Sequence, residues 1–429
     1  MRRWIRTWSA APAALAAALL GHASACDSGE PPGSSGGPPG ETVRSSLSFE
    51  ESPGVGDEAL RQLAVGQIAL ARELLALGGV ADNQAISPVS ISMAFAMLSA
   101  GARGDTLAEL ADVLHFPAQD VLHPAMNELL VRLRARDVPP SADDDGVALS
   151  PVNQIFQEQT FPVESAFLDT LGVSYDAGVQ LVDFVGAPDP TRVAINDWVL
   201  EQTRDRIADL LPPGSIASLT RLVLVNALYL KAAWEEAFDA HATSDGTFHA
   251  PGGDVTVPFL RGDIGGAGYA SIDGADVVEL PFVGGELAFT VVVPREGATV
   301  DLSAVAAQLD TLPRGGAYVN LPRFRVTVPL DLKAALASLG IHDLFDATAC
   351  DLTGINPDAD LYVSGAFHKT FVNVDEKGVE AAAATAIVVG DTSMPPTVTV
   401  DEPFYFLVRD LSTGAPLFVG FIADPSASS

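Results

Sequence analysis

Apolar and polar positions alternate with two different periods along this chain. Leu60, Leu63, Leu70, Leu74 and Leu77 recur near helical spacing, with Asp57 as a cap and Gly78-Gly79 as a stop, and predict a first helix. Ser87-Pro88 pairs a capping residue with a proline at the first helical position, opening an apolar helix through Phe95 and Leu98 that stops at Gly101. A third helix is expected after an Asp105-Thr106 cap, and another from Arg192 to Ile207, before Pro212-Pro213. The second half reads as strands. Arg221 to Tyr229 is a continuous apolar run suited to a buried strand. Val277 to Phe282 and Leu287 to Val293 flank Gly284-Gly285, and Phe404 to Val408 and Pro416 to Ile422 flank Ser412-Thr413-Gly414, so each pair predicts a hairpin. A short helix from Asp331 to Leu339 is closed by Gly340. The mixture is α+β.

The N-terminal pattern is of another kind. Arg2, Arg3 and Arg6 precede an apolar stretch, Ala10 to Leu20, too short to span a bilayer, and Ala23-Ser24-Ala25 supplies small residues before Cys26. Residues 1–25 therefore read as an export signal. Cys26 at the junction is the candidate lipid-attachment site of a bacterial lipoprotein signal, although Ala23 stands where that pattern usually has a larger aliphatic; the alternative is plain secretion. Residues 26–57, rich in Gly, Ser and Pro at their start, read as a flexible linker ahead of the folded residues 58–429, whose length alone would allow two or three domains. The expected location is outside the cell, or anchored on the cell surface or periplasmic side.

Charge and composition narrow the chemistry. The 429 residues carry 24 basic and 55 acidic side chains, a formal charge of −31, which argues against nucleic acid as a partner. Two cysteines and seven scattered histidines offer no metal-ligand pattern, and no phosphate loop, dinucleotide motif or nucleophile elbow appears, so neither a metal nor a cofactor is expected. Arg132, Arg134 and Arg136 make a basic stripe that reads as a solvated helix face, with Asp143, Asp144 and Asp145 close behind.

The one unusual segment runs from Val379 to Pro396. After Glu380 it has no charge until Asp391 and no proline until Pro395, with small residues first and β-branched residues later. As a strand it would place Val379, Ala381, Ala383 and Thr385 on one face and Glu380 on the other; an Ala-rich core helix is the competing reading of this stretch alone. Its context, Asn373-Val374-Asp375-Glu376-Lys377-Gly378-Val379-Glu380-Ala381-Ala382-Ala383-Ala384-Thr385, resembles the hinge of the serpins, the serine protease inhibitors. Further resemblances follow in chain order: Ser87-Pro88-Val89-Ser90-Ile91 with Ala94 to Leu98, Leu224 to Lys231 leading to Trp234, Leu321-Pro322-Arg323-Phe324, Pro403 to Phe406, and Pro416 to Gly420.

The resemblance implies a serpin fold: a single, monomeric domain with three β-sheets, about nine helices and an exposed reactive-centre loop. It implies an inhibitory-type bacterial serpin, not an enzyme, acting as a suicide substrate on extracellular serine proteases. The target cleaves one loop bond, and the acyl-enzyme is trapped as the cut loop enters the main sheet. Glu376, Gly378, Val379, Glu380 and Ala381, Ala382, Ala383 and Ala384 would form the hinge. Val379 is larger than the family's usual Thr or Ser but uncharged. Counting from Gly378 puts the reactive bond between Thr392 and Ser393. A small β-branched residue there suits elastase-like or subtilisin-like proteases, with cross-reaction to a cysteine protease; a shift of one residue would present Asp391, and of two, Met394. Ser87, Ser90, Asn226 and His368 match the family's gate beneath the sheet, and Trp234 marks where the loop first enters. The alternative implied by the family is a non-inhibitory serpin serving as a binding or chaperone-like protein.

Overall fold

In the computed structural model the described residues are 37–141, 144–358, 360–380 and 395–427. The loop positions Ala381 to Met394, with the Thr392-Ser393 bond, and the whole leader with Cys26 lie outside them. From Gly36 onward the chain forms one compact unit. Among the described residues it holds eight α-helices, against the nine or so implied by the resemblance, and three sheets of seven, six and four strands.

The largest sheet carries the site. Its central strands are Val147–Glu158, Leu222–Ala233 and Val363–Asp375. Leu222–Ala233 is almost wholly buried, which is why its sequence is a continuous apolar run without alternation. Even-numbered residues of this strand, such as Leu224, Leu228 and Ala232, pack into the main core. Odd-numbered ones, Val223, Val225 and Ala227, pack with Phe371 beneath Ile207, Leu210 and Leu211 of the covering segment. Both faces are therefore dry.

Several expectations are met and others shift. Ser87 caps the helix Pro88–Ser99, accepting a hydrogen bond from the Ser90 N–H, and Asp331 caps Leu332–Leu339 in the same way. Both hairpins of the second half form antiparallel pairs. Asp57 begins the first helix, Asp57–Gly78, instead of capping it, and Arg103, not Asp105, precedes the third. Leu77 is exposed because that helix overruns the core edge. The helix expected to reach Ile207 is Pro188–Gln202: Arg204 and Asp205 take left-handed φ values of 50° and 62°, turning the chain so that Ile207 drops onto the sheet. Part of the stretch read as linker is ordered, since Glu41–Val43 pairs with Val179–Val182 at the edge of the large sheet. Only Val43 packs on the core and Thr42 bonds the Gln180 side chain, so three residues with one apolar contact gave no compositional signal.

Candidate functional site: a split sheet and the loop anchored in it

Strands Leu222–Ala233 and Val363–Asp375 run parallel and pair directly from Val363 beside Leu222 to Thr370 beside Leu228. Beyond that point they part. Gly378–Val379, a two-residue strand, fills the gap, antiparallel to both neighbours: Val379 stands opposite Ala232 on one side and Val374 on the other. The hinge is thus already seated between the two central strands at one end of the sheet.

Three backbone features put it there. The turn at Glu376 and Lys377 is held by Trp234 N–H donating to the Lys377 carbonyl at 2.8 Å and Phe238 N–H donating to the Glu376 carbonyl at 2.7 Å. Gly378 has φ of 152°, and a Cβ there would lie 2.1 Å from the Ala232 carbonyl oxygen, so no other residue takes this place without moving the strand. Val379 is buried in the core, whereas Glu380 turns away with φ of 60°, its N–H still donating to the Asn373 carbonyl at 3.0 Å. The pattern read from the sequence places Glu380 on the solvated face of a continuing strand; instead the strand stops at Val379, and the left-handed Glu380 is mostly buried against Arg206.

Trp234 is packing at this entrance. Its ring stacks on Phe282 at 4.8 Å, meets Phe289 edge-on at 5.6 Å, and its Nε1–H donates to the Asp375 carbonyl at 2.9 Å. Glu376 lies near Arg323, 3.7 Å away. At the far end the chain resumes as the edge strand Thr397–Thr399, parallel to Ala317–Pro322 of the four-stranded sheet, with Tyr318 N–H donating to the Pro396 carbonyl. Residues 381–394 thus connect two anchored strands belonging to different sheets.

Deeper in the sheet, Ser87, Ser90, Asn226 and His368 come together. Asn153, Asn226 and His368 stand in one row across three adjacent strands. The Ser87 N–H donates to His368 Nε2 at 3.0 Å, so that nitrogen is the acceptor and Nδ1 carries the proton it gives to Asn226 Oδ1. Asn226 Nδ2 donates to Ser90 Oγ at 2.7 Å and to Asn153 Oδ1, which also accepts from Ser90 at 3.0 Å. Thr370 reaches His368 Nε2 at 2.8 Å. Complete burial lowers the His368 pKa to about 3, keeping the imidazole neutral. Asn153 and Thr370 were not singled out in the sequence. Neither gave a signal: Asn153 sits beside Gln154 in a mixed run, and Thr370 is ordinary in a strand.

The basic stripe is neutralised in place: Arg132 pairs with Glu128 and Asp57, Arg134 with Asp176, and Arg136, past the helix that ends at Arg134, is not on a solvated face but largely buried against Asp410. Cys350 is a free, half-buried thiol whose pKa burial, and then Asp351, pushes up to about 12. Among the described residues, no group of three or more acidic, His or Cys side chains is arranged to hold a metal ion.

A sheet parted at one end, with a hinge seated in the gap and a polar cluster across its middle, defines a class that sequence comparison then names. The model of the serpin (serine protease inhibitor) family matches residues 67–425. Ipis-1 of Ixodes persulcatus is 36% identical over 359 residues, which cover 80% of this chain and 93% of that protein. Leukocyte elastase inhibitor of Homo sapiens is 34% identical over 362 residues, covering 80% and 94%. Among solved structures, human thyroxine-binding globulin superposes with a TM-score of 0.73 at 26% identity, covering 86% of this chain and all of that one. The chain belongs to the serpin family. Its relatives are named as protease inhibitors, and it is not an enzyme.

Proposed function

We propose that this serpin is an irreversible, suicide-substrate inhibitor of serine proteases, working by insertion of its cleaved loop into the seven-stranded sheet. The observation that carries this reading is Gly378–Val379 seated between strands that pair directly further down. Val379 is opposite Ala232 and Val374; continuing that register by six residues puts Thr385 opposite Asn226 and His368. Insertion of roughly a dozen residues would add about ten backbone hydrogen bonds, each worth on the order of 1 kcal/mol net. The run Ala381 to Ala384 contains no side chain large enough to obstruct entry. The uncut form would persist because the strands must part before the loop can enter, a kinetic barrier.

Acylation would occur at the loop bond. The protease's nucleophile attacks the carbonyl of Thr392, releasing the amine of Ser393, and the ester then awaits a water molecule. Withdrawal of the loop into the sheet would drag the esterified protease across the molecule before water attacks. An elastase-like or subtilisin-like target suits Thr392, and relatives named as leukocyte elastase inhibitors favour the first. Incubation with such proteases is expected to give a covalent complex stable in hot detergent, with the new amino terminus at Ser393; cleavage with full recovery of protease activity would overturn the reading in favour of a non-inhibitory binding protein. Export with a lipid on Cys26 is part of the same proposal, and mass spectrometry of the mature N-terminus tests it.

A further inference from the structure

Insertion would separate Leu222–Ala233 from Val363–Asp375 by one further strand spacing, about 4.8 Å, along the length where they now pair. The covering segment over 203–211 lies across that seam and is tied to both sides. On one side the Arg204 guanidinium sits over the Tyr229 ring at 5.1 Å. On the other, Lys369 donates to the Ala208 carbonyl at 2.8 Å and Arg206 lies over Phe371 at 5.9 Å. Arg206 also forms an ion pair with Glu380, the residue where the hinge leaves the sheet.

That pair is unequal. Arg206 is 40% exposed and Glu380 only 11%. One Glu380 oxygen is held by Arg206; Oε2 is buried without a hydrogen-bond partner. Glu380 also holds a left-handed φ of 60°, a cost for a residue with a Cβ. It borders a cleft of about 400 Å³ that is also lined by Lys231, whose present partner is Asp145 at 3.2 Å. In the register set by Val379, Lys231 is the residue that an extended Glu380 would face.

We propose that Arg206 is a positioning residue for loop insertion: it holds Glu380 turned out of the sheet in the uncut protein, and insertion proceeds as Glu380 exchanges Arg206 for Lys231, releasing the covering segment from the seam. This rests on the insertion reading above, but the clamp itself is present in the uncut protein and is tested there. Amide hydrogen exchange is compared in the uncut wild type, Arg206→Met, Glu380→Gln, Lys231→Met and the reversal R206E/E380R. Removing either member of the clamp is expected to speed exchange about fivefold in 204–211 and in 378–380 together. The reversal restores protection, and Lys231→Met leaves both segments as in the wild type while lowering the fraction of protease trapped. Faster exchange in 204–211 alone, or in neither segment, overturns the clamp. A wild type that gains no thermal stability on loop cleavage overturns insertion instead, so the two failures are distinguishable.

Discussion

His368 and Asn226 stand side by side on parallel neighbouring strands, joined by a hydrogen bond from the imidazole Nδ1–H to the amide Oδ1. This bond closes the seam that the proposed insertion must open, and its donor is a group that burial keeps neutral. The chemistry of the seam is therefore sensitive to acid.

Lowering the pH should weaken the native protein through this residue. Burial lowers the His368 pKa to about 3, whereas the unfolded chain titrates near the ordinary value of 6.5. Between those values the unfolded state binds more protons, so stability rises with pH through the window and is eroded as pH falls from 6.5 toward 3. His123, which burial lowers to about 4, adds to the effect. Urea denaturation across pH 4 to 7 is expected to show a shallower dependence for His368→Gln than for the wild type; equal slopes would contradict it.

Gly378→Ala should displace the seated hinge. The new Cβ would lie 2.1 Å from the Ala232 carbonyl oxygen, with the backbone held at φ of 152°. The strained conformation costs on the order of 1–3 kcal/mol, more than two residues of strand are expected to sustain. Loss of exchange protection at Val379 and Glu380, with little change in the Pro88–Ser99 helix, is the expected result.

Much of this arrangement was legible in the chain. The caps at Ser87 and Asp331 were readable because a side-chain oxygen followed by a helical run has few other uses. The inward facing of Val379 was readable from its apolar character in a strand-like run, but the left-handed turn at Glu380 was not. The Arg206–Glu380 clamp was not readable, because the partners are far apart in sequence and meet only after Arg204 and Asp205 turn the chain back over the sheet. Asn153 escaped for a similar reason: its importance comes from its register opposite Asn226, not from its neighbours. The edge strand at Glu41–Val43 depends on its register against Val179–Val182, which composition does not encode.

Asn226→Ala should loosen the seam itself. It removes the acceptor for His368 and the donor to Ser90 and Asn153, leaving buried polar groups without that partner. A cost of about 1–3 kcal/mol is expected for an unsatisfied buried group. Chemical denaturation of the uncut protein measures it, and an unchanged midpoint would contradict the role given to the cluster.

Thr385→Arg should convert an inhibitor into a substrate. In the continued register residue 385 arrives between Asn226 and His368, where burial is complete and no carboxylate among these partners would compensate a guanidinium. The moles of serpin consumed per mole of protease inhibited are expected to rise roughly tenfold or more, with cleavage of the loop still rapid. Unchanged stoichiometry would show that residue 385 does not enter the sheet there.

The most direct test compares melting of the intact protein with that of the same protein nicked within 381–394. Uptake of the severed loop predicts a rise in melting temperature of roughly 10 °C or more. A nicked protein that melts where the intact one does, or below it, would contradict insertion as the source of inhibition.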